Sequence, residues 1–115
     1  VCETTARAYK VLTADEAAAL QSGMFLGTAV DRADGFIHLS TASQLAGTVA
    51  RHFSGQSNLV VAAVDVAAFG SSIRWERSRD GQHFPHLYGA LSWTHVIAQG
   101  PLEWRADGTV RLPSP

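Results

Sequence analysis

The run Leu59-Val60-Val61-Ala62-Ala63-Val64 constrains this chain more than any other feature. It is apolar without a break, rich in β-branched valine, and bounded by Ser57-Asn58 on one side and Asp65 on the other. Its length and composition predict a central strand covered on both faces. Just before it, Ala42, Leu45, Ala46, Val49, Ala50 and Phe53 recur at helical spacing, with Ser40 or Thr41 as cap and Ser54-Gly55-Gln56-Ser57-Asn58 as the stop. A helix and a doubly covered strand in this order indicate an α+β chain.

The other elements follow from local patterns. Ala8 to Leu12 alternates loosely and reads as a first strand. Thr13-Ala14-Asp15-Glu16 matches a capping box, in which threonine and glutamate side chains each satisfy an orphan backbone N–H, so a short helix is expected from Ala14 to Ser22. Gly23 can end it in the left-handed conformation. Residues 27–35 show no apolar period and read as an exposed loop. Gly35 to Ser40 reads as a short strand with Phe36, His38 and Ser40 on one face and Ile37 and Leu39 on the other. Ser72 to Arg77 alternates Ile73, Trp75 and Arg77 against Arg74 and Glu76, a further strand. Ser78-Arg79-Asp80-Gly81 carries a tight-turn signal, so His83 and Phe84 are expected to return beside it until Pro85 interrupts the ladder. Trp93 to Ala98 alternates again. Leu102 to Arg105 and Thr109 to Leu112, around Asp107-Gly108, read as a hairpin.

A chain of 115 residues buries one core without metal or disulfide staples, and no repeat or linker divides it, so 1–115 reads as one domain with its core from about residue 8 to 112. Lys+Arg 9 against Asp+Glu 10 gives a formal charge of -1, which leaves no field to hold a polyanion, so strong nucleic-acid binding is not expected. No run is long and apolar enough for a membrane span, the first residues lack a signal-peptide pattern, and the single Cys2 cannot form an internal disulfide. The expectation is a cytoplasmic protein, monomeric by default.

Histidine carries most of the candidate chemistry. In Phe36-Ile37-His38-Leu39-Ser40 and in Phe84-Pro85-His86-Leu87-Tyr88-Gly89 an imidazole sits between large apolar residues, where it needs a partner. With Glu76, Tyr88 and several arginines, the two segments could line a small pocket. The alternative is that each ring bonds a carbonyl or the Trp75-Glu76 strand and only locks the core. His83 and His86 face opposite ways on an extended segment, and no Cys-x-x-Cys or His-Glu-x-x-His pattern occurs, so no metal is expected. Ser40 is better read as a cap than as a nucleophile, since Gly-x-Ser-x-Gly is absent, and no phosphate-binding glycine loop is present.

Taken in order, Tyr9-Lys10-Val11-Leu12, Asp34-Gly35-Phe36-Ile37-His38-Leu39-Ser40-Thr41, Asp65, Trp75-Glu76 and Phe84-Pro85-His86-Leu87-Tyr88-Gly89 resemble the landmarks of the bacterial domain-of-unknown-function family 952, from about Ala8 to Leu102. The resemblance implies an ADP-ribosylation-like α+β fold, a strongly curved, split, mixed or antiparallel sheet with two to three flanking helices. A more distant likeness is to RNA 2′-phosphotransferases, whose histidine and following hydroxyl residue would correspond to His38 and Ser40. That likeness implies NAD or a related nucleotide as ligand. His38 would then orient a ribose or phosphate, His86 serve as acid or base, and Glu76 stabilise developing positive charge. Ser40, Trp75, Arg77 and Tyr88 would bind the nucleotide, Trp75 and Tyr88 by stacking. The residues do not decide whether the chain is an enzyme. A non-catalytic ligand-binding or sensor domain is favoured by the lack of a His-Gly-Thr motif near the first strand, and a structural or partner-protein module is the third reading.

Overall fold

The computed structural model describes residues 7–77 and 81–113. The first strand, β1 (Arg7–Leu12), is followed by α1 (Ala14–Gln21), α2 (Ala29–Asp34) and a two-residue β2 (Ile37–His38). A 3-10 turn at Ala42–Gln44 leads into α3 (Leu45–His52) and β3 (Val60–Asp65). After a 3-10 segment, Val66–Ser72, come β4 (Ile73–Arg77), β5 (His83–Leu87) and, past a turn at Trp93–His95, β6 (Val96–Pro101).

The strands form two three-stranded sheets, ordered β1-β3-β6 and β2-β5-β4, and every pairing is antiparallel. The antiparallel alternative of the expected split sheet is the one observed, as two ladders without the strong curvature expected from sequence. Among the described residues the one backbone pairing between the two sheets is at Tyr9 and Ser40, Tyr9 N donating to Ser40 O at 2.8 Å and Ser40 N to Tyr9 O at 2.9 Å, while side chains of both sheets share one apolar cluster. With a single bridge between them, two separate ladders form instead of one bent one.

Central strand β3 is covered on both faces, as its composition predicts. Ala62 and Val64 join Leu12, Leu20 of α1, Leu39 and Leu87 in one apolar cluster. Val61 and Ala63 join Tyr9, Val11, Leu45 and Val49 of α3 in the other. Alternation along the strand sends successive side chains to opposite layers. The α3 stripe is narrower than its sequence period suggested, because Ala42 and Ala50 are exposed and the first turn is 3-10. Thr41 rather than Ser40 stands at the cap, with the Gln44 side chain reaching back to its N–H at 2.9 Å.

Several local expectations need correction. Residues 27–35 are not an open loop. Thr28 accepts from Asp31 N while Asp31 Oδ2 accepts from Thr28 N, a capping box that starts α2, and Gly35 at φ 85° ends it. Pro85 does not interrupt β5, which runs through it in the middle of its sheet. Within a strand a residue's N–H and C=O point to the same side, and the Pro85 carbonyl accepts from Leu39 N at 3.1 Å. The missing donor therefore falls on the β2 side. Leu39 gains no reciprocal bond, β2 stops at His38, and the β4–β5 ladder is untouched. Trp93–His95 is a turn rather than the start of a strand, and the C-terminal hairpin reduces to one Trp104–Val110 bridge with flanking bonds. The expected turn at Ser78-Arg79-Asp80 lies outside the described residues.

Candidate functional site

Beyond the Tyr9–Ser40 bridge the edges of β1 and β2 diverge, and a cleft of about 290 Å³ opens between the two sheets. Strand β1, β2, the start of α2, the end of α3 and the middle of β5 all contribute to its walls.

One wall is an ionic network around Asp31. Its place in the α2 capping box buries its carboxylate, at 3% exposure, beside the equally buried Lys10 of β1. Lys10 Nζ lies 2.8 Å from Asp31 Oδ2 and also donates to the His38 carbonyl at 2.9 Å. Asp31 Oδ1 accepts from His38 N at 3.0 Å and faces His38 Nδ1 at 2.7 Å. Burial by itself raises the Asp31 pKa, but the bonds to His38 and the charge of Lys10 outweigh it and hold the carboxyl well below the usual range. Burial pulls Lys10 below its ordinary value, against the opposing pull of Asp31. His38 Nε2 faces Asp34 Oδ2 at 2.9 Å, so both ring nitrogens are engaged.

The other histidine is held differently. His86 is 5% exposed and stands directly across the ladder from His38, with ring centroids 5.5 Å apart. Phe36 stacks on it at 4.1 Å. Its Nδ1 faces Glu76 Oε1 at 2.8 Å, and Tyr88 donates to the same oxygen at 2.7 Å. These bonds lower the Glu76 pKa, that from His86 first, and the carboxylate in turn raises the Tyr88 phenol. His86 lines the cleft and Glu76 does not. Nδ1 is turned to Glu76, and Nε2 has no hydrogen-bond partner among the described residues.

Of the residues singled out from sequence, His38, His86 and Ser40 line the cleft. Ser40 holds the sheet junction through its backbone, while its Oγ pairs with Thr48 Oγ1 at 2.8 Å. Glu76 sits behind His86 and fixes its ring, and Tyr88 supports Glu76 from an exposed position, with the Arg74 guanidinium 4.8 Å over its ring. Trp75 and Arg77 are not part of the arrangement. They alternate with Arg74 and Glu76 on β4, so they share the face of Ile73, opposite to that of His86. Arg74, register partner of His86, is the arginine on the histidine face. Sequence reasoning also missed Lys10 and Asp31. Lys10 is the sole lysine of the chain and lies inside an apolar strand, and Thr28-x-x-Asp31 is a capping-box pattern. Among the described residues no three His, Cys, Asp or Glu side chains converge as a metal shell, and no helix is long and apolar enough to cross a membrane.

Residues 11–99 match the family described as protein of unknown function DUF952. The chain belongs to the DUF952 family. The crystal structure of protein CC0527 from Caulobacter crescentus is similar to this DUF952 chain at 44% identity, covering 92% of this chain and 94% of that one, with a TM-score of 0.81. The solution NMR structure of CC0527 gives 44% identity, 92% coverage of each chain and a TM-score of 0.76. No curated protein matches this DUF952 chain.

Proposed function

We propose that the cleft between the two sheets binds a nucleotide-like small molecule, and that His86 is the group that contacts it. The observation that carries this reading is the state of that ring: buried, fixed through Nδ1 by Glu76, and left with an unpartnered Nε2 beside the cleft. A buried polar atom without a partner is costly unless a ligand or water satisfies it. A carboxylate on Nδ1 also sets the tautomer whose Nε2 accepts a proton, which suits a general base. His38 plays the other part. Both its nitrogens are engaged by carboxylates, so it fixes α2 against β2 and shapes the cleft rather than transferring a proton.

The cleft is at the lower end of the roughly 300–1,000 Å³ range of small-molecule sites, so it encloses one ring and its substituents while the rest of a dinucleotide lies outside. The split between the sheets supports the ADP-ribosylation-like architecture that the family resemblance implies, and makes NAD the first nucleotide to test. Glu76 is a positioning residue in this reading, acting through His86.

The test is a titration of the wild-type imidazoles by NMR with NAD, AMP and ADP-ribose, alongside an assay for nicotinamide release. The expected result is a saturable shift of the His86 ring that disappears in His86→Phe, a change that keeps volume and stacking on Phe36. Release of nicotinamide marks an enzyme, and binding without release marks a sensor or carrier. No saturable shift with any of the three ligands overturns the proposal and leaves the histidines as supports of the core.

A further inference from the structure

Strand β4 is an edge of the second sheet, paired with β5 on one side and with no other strand among the described residues. Its backbone groups alternate between the two sides. Tyr88 N donates to Ser72 O at 2.8 Å, so Ser72, and by alternation Arg74 and Glu76, face β5. The Pro85 carbonyl goes to Leu39 on the far side of β5, which agrees with its register partner Trp75 turning its N–H and C=O away from the ladder. Ile73, Trp75 and Arg77 therefore direct their backbone groups outward, and of these the Ile73 N–H is already bonded to Gly70 O. Such an edge is a template for another strand unless the protein blocks it. No proline interrupts β4, and Trp75 at its centre is 46% exposed. Arg74 and Glu76 flank it on the opposite face.

We infer that β4 pairs antiparallel with β4 of a second copy of this chain, across a two-fold axis at Trp75. Charge selects this register. The outward groups fall on alternate residues, so a second β4 can slide only in steps of two. With Trp75 opposite the partner's Trp75, Arg74 stands opposite the partner's Glu76 and Glu76 opposite the partner's Arg74, both cross-strand pairs of opposite sign. A shift by one step either way sets Arg74 against the partner's Arg74 or Glu76 against the partner's Glu76, and like charges directly opposite are destabilising. In the two-fold register the Trp75 residues exchange both backbone bonds, and each Arg77 N–H meets the partner's Ile73 carbonyl. The indoles lie side by side on the other face, where aromatic pairs add to a ladder. The surface is self-complementary, as a two-fold dimer requires. An edge of five residues falls short of the roughly 1,200–2,000 Å² of a standard stable interface, so the dimer is reversible and depends on concentration. It brings the partner's Arg74 beside Glu76, the carboxylate that fixes His86.

The test needs no ligand, so its outcome is separate from that of the cleft. Sedimentation velocity and NMR relaxation follow the full, isotope-labelled chain as its concentration rises. The sedimentation coefficient and rotational correlation time are expected to climb towards dimer values by about 1 mM, where a contact of this size fills. The Trp75 and Arg77 amides move along the same curve. No climb up to that concentration overturns the inference. Trp75→Pro removes an outward donor and leaves the Arg74 and Glu76 bonds to β5 in place, so it folds and stays monomeric. Association unchanged in Trp75→Pro overturns the inference. Arg74→Glu or Glu76→Arg alone makes both cross-strand pairs repulsive and weakens self-association by about tenfold or more. Either variant associating like the wild type overturns the inference. Mixed in equal amounts, the two swaps again set unlike charges opposite one another at both positions, and a heterodimer forms. A mixture no more associated than its components overturns the inference. Where Glu76→Arg fails to fold without its bond to His86, Trp75→Pro and Arg74→Glu decide.

Discussion

Replacing Asp31 by asparagine removes one charge from the cleft wall and keeps the shape of the side chain. In the folded protein that charge faces Lys10 at 2.8 Å, with the two side chains only 2% and 6% exposed. Asp31→Asn leaves the ammonium buried without its counter-charge, and breaking a buried pair in this way costs about 3–5 kcal/mol. The His38 ring, 2.7 Å from Oδ1, loses a charged acceptor in the same change, which places the expected loss in the upper part of that range. Domains of this kind have about 5–15 kcal/mol in total, so the variant folds but is marginal. Urea unfolding at pH 7 measures the loss. Lys10→Met in the Asp31→Asn background removes the stranded charge and should recover part of it. A loss under about 1 kcal/mol at an unchanged m value, or no recovery in the double variant, would refute the argument, because either would mean that the pair is not desolvated. The pH dependence has a definite sign. The folded Asp31 carboxyl titrates below its unfolded value of about 3.9, so its contribution is complete above that value and is lost as pH falls towards the folded one. Burial makes the folded Lys10 release its proton earlier than the unfolded chain does, so stability rises with pH up to the unfolded value of about 10.4. In Asp31→Asn, with its raising partner neutralised, that rise begins at lower pH.

Val49→Asp puts an unpaired charge into the cluster beneath α3, where Val49 is 6% exposed, and should destabilise by about 3 kcal/mol or more. An unchanged melting temperature would show that this face is not buried. Gly35→Ala tests the left-handed end of α2: a Cβ there meets nothing within 4 Å, so the loss is conformational, about 1–2 kcal/mol, and urea unfolding reports it. No measurable loss would mean that the α2–β2 junction relaxes. Pro85→Ala restores a donor opposite the Leu39 carbonyl, and hydrogen exchange should find the new amide protected; rapid exchange would remove the explanation given for the short β2.

Period and punctuation in the chain decide everything that depends on near neighbours. The unbroken run at Leu59 to Val64 required cover on both faces of β3, Thr13 and Glu16 wrote their own capping box, and alternation in β4 already separated Glu76 and Arg74 from Trp75 and Arg77. The last of these is legible in the sequence and by itself sets Trp75 and Arg77 on the face away from Glu76. The two histidine segments were also legible as unusual, because an imidazole among apolar residues needs a partner. Their juxtaposition was not, since His38 and His86 meet only through the β2–β5 register. Thr28-x-x-Asp31 announces a helix start, but nothing local says that the same carboxylate will meet the sole lysine of another strand. The cleft depends on closure as well: one backbone bridge joins β1 to β2, a proline with no N–H cuts the β2 ladder short, and the edges then part beside Val11. Local propensity fixes which face a side chain occupies, because that is set by the geometry of a few neighbouring bonds. Which faces meet is fixed only when distant segments pair, because those contacts belong to no single stretch of chain.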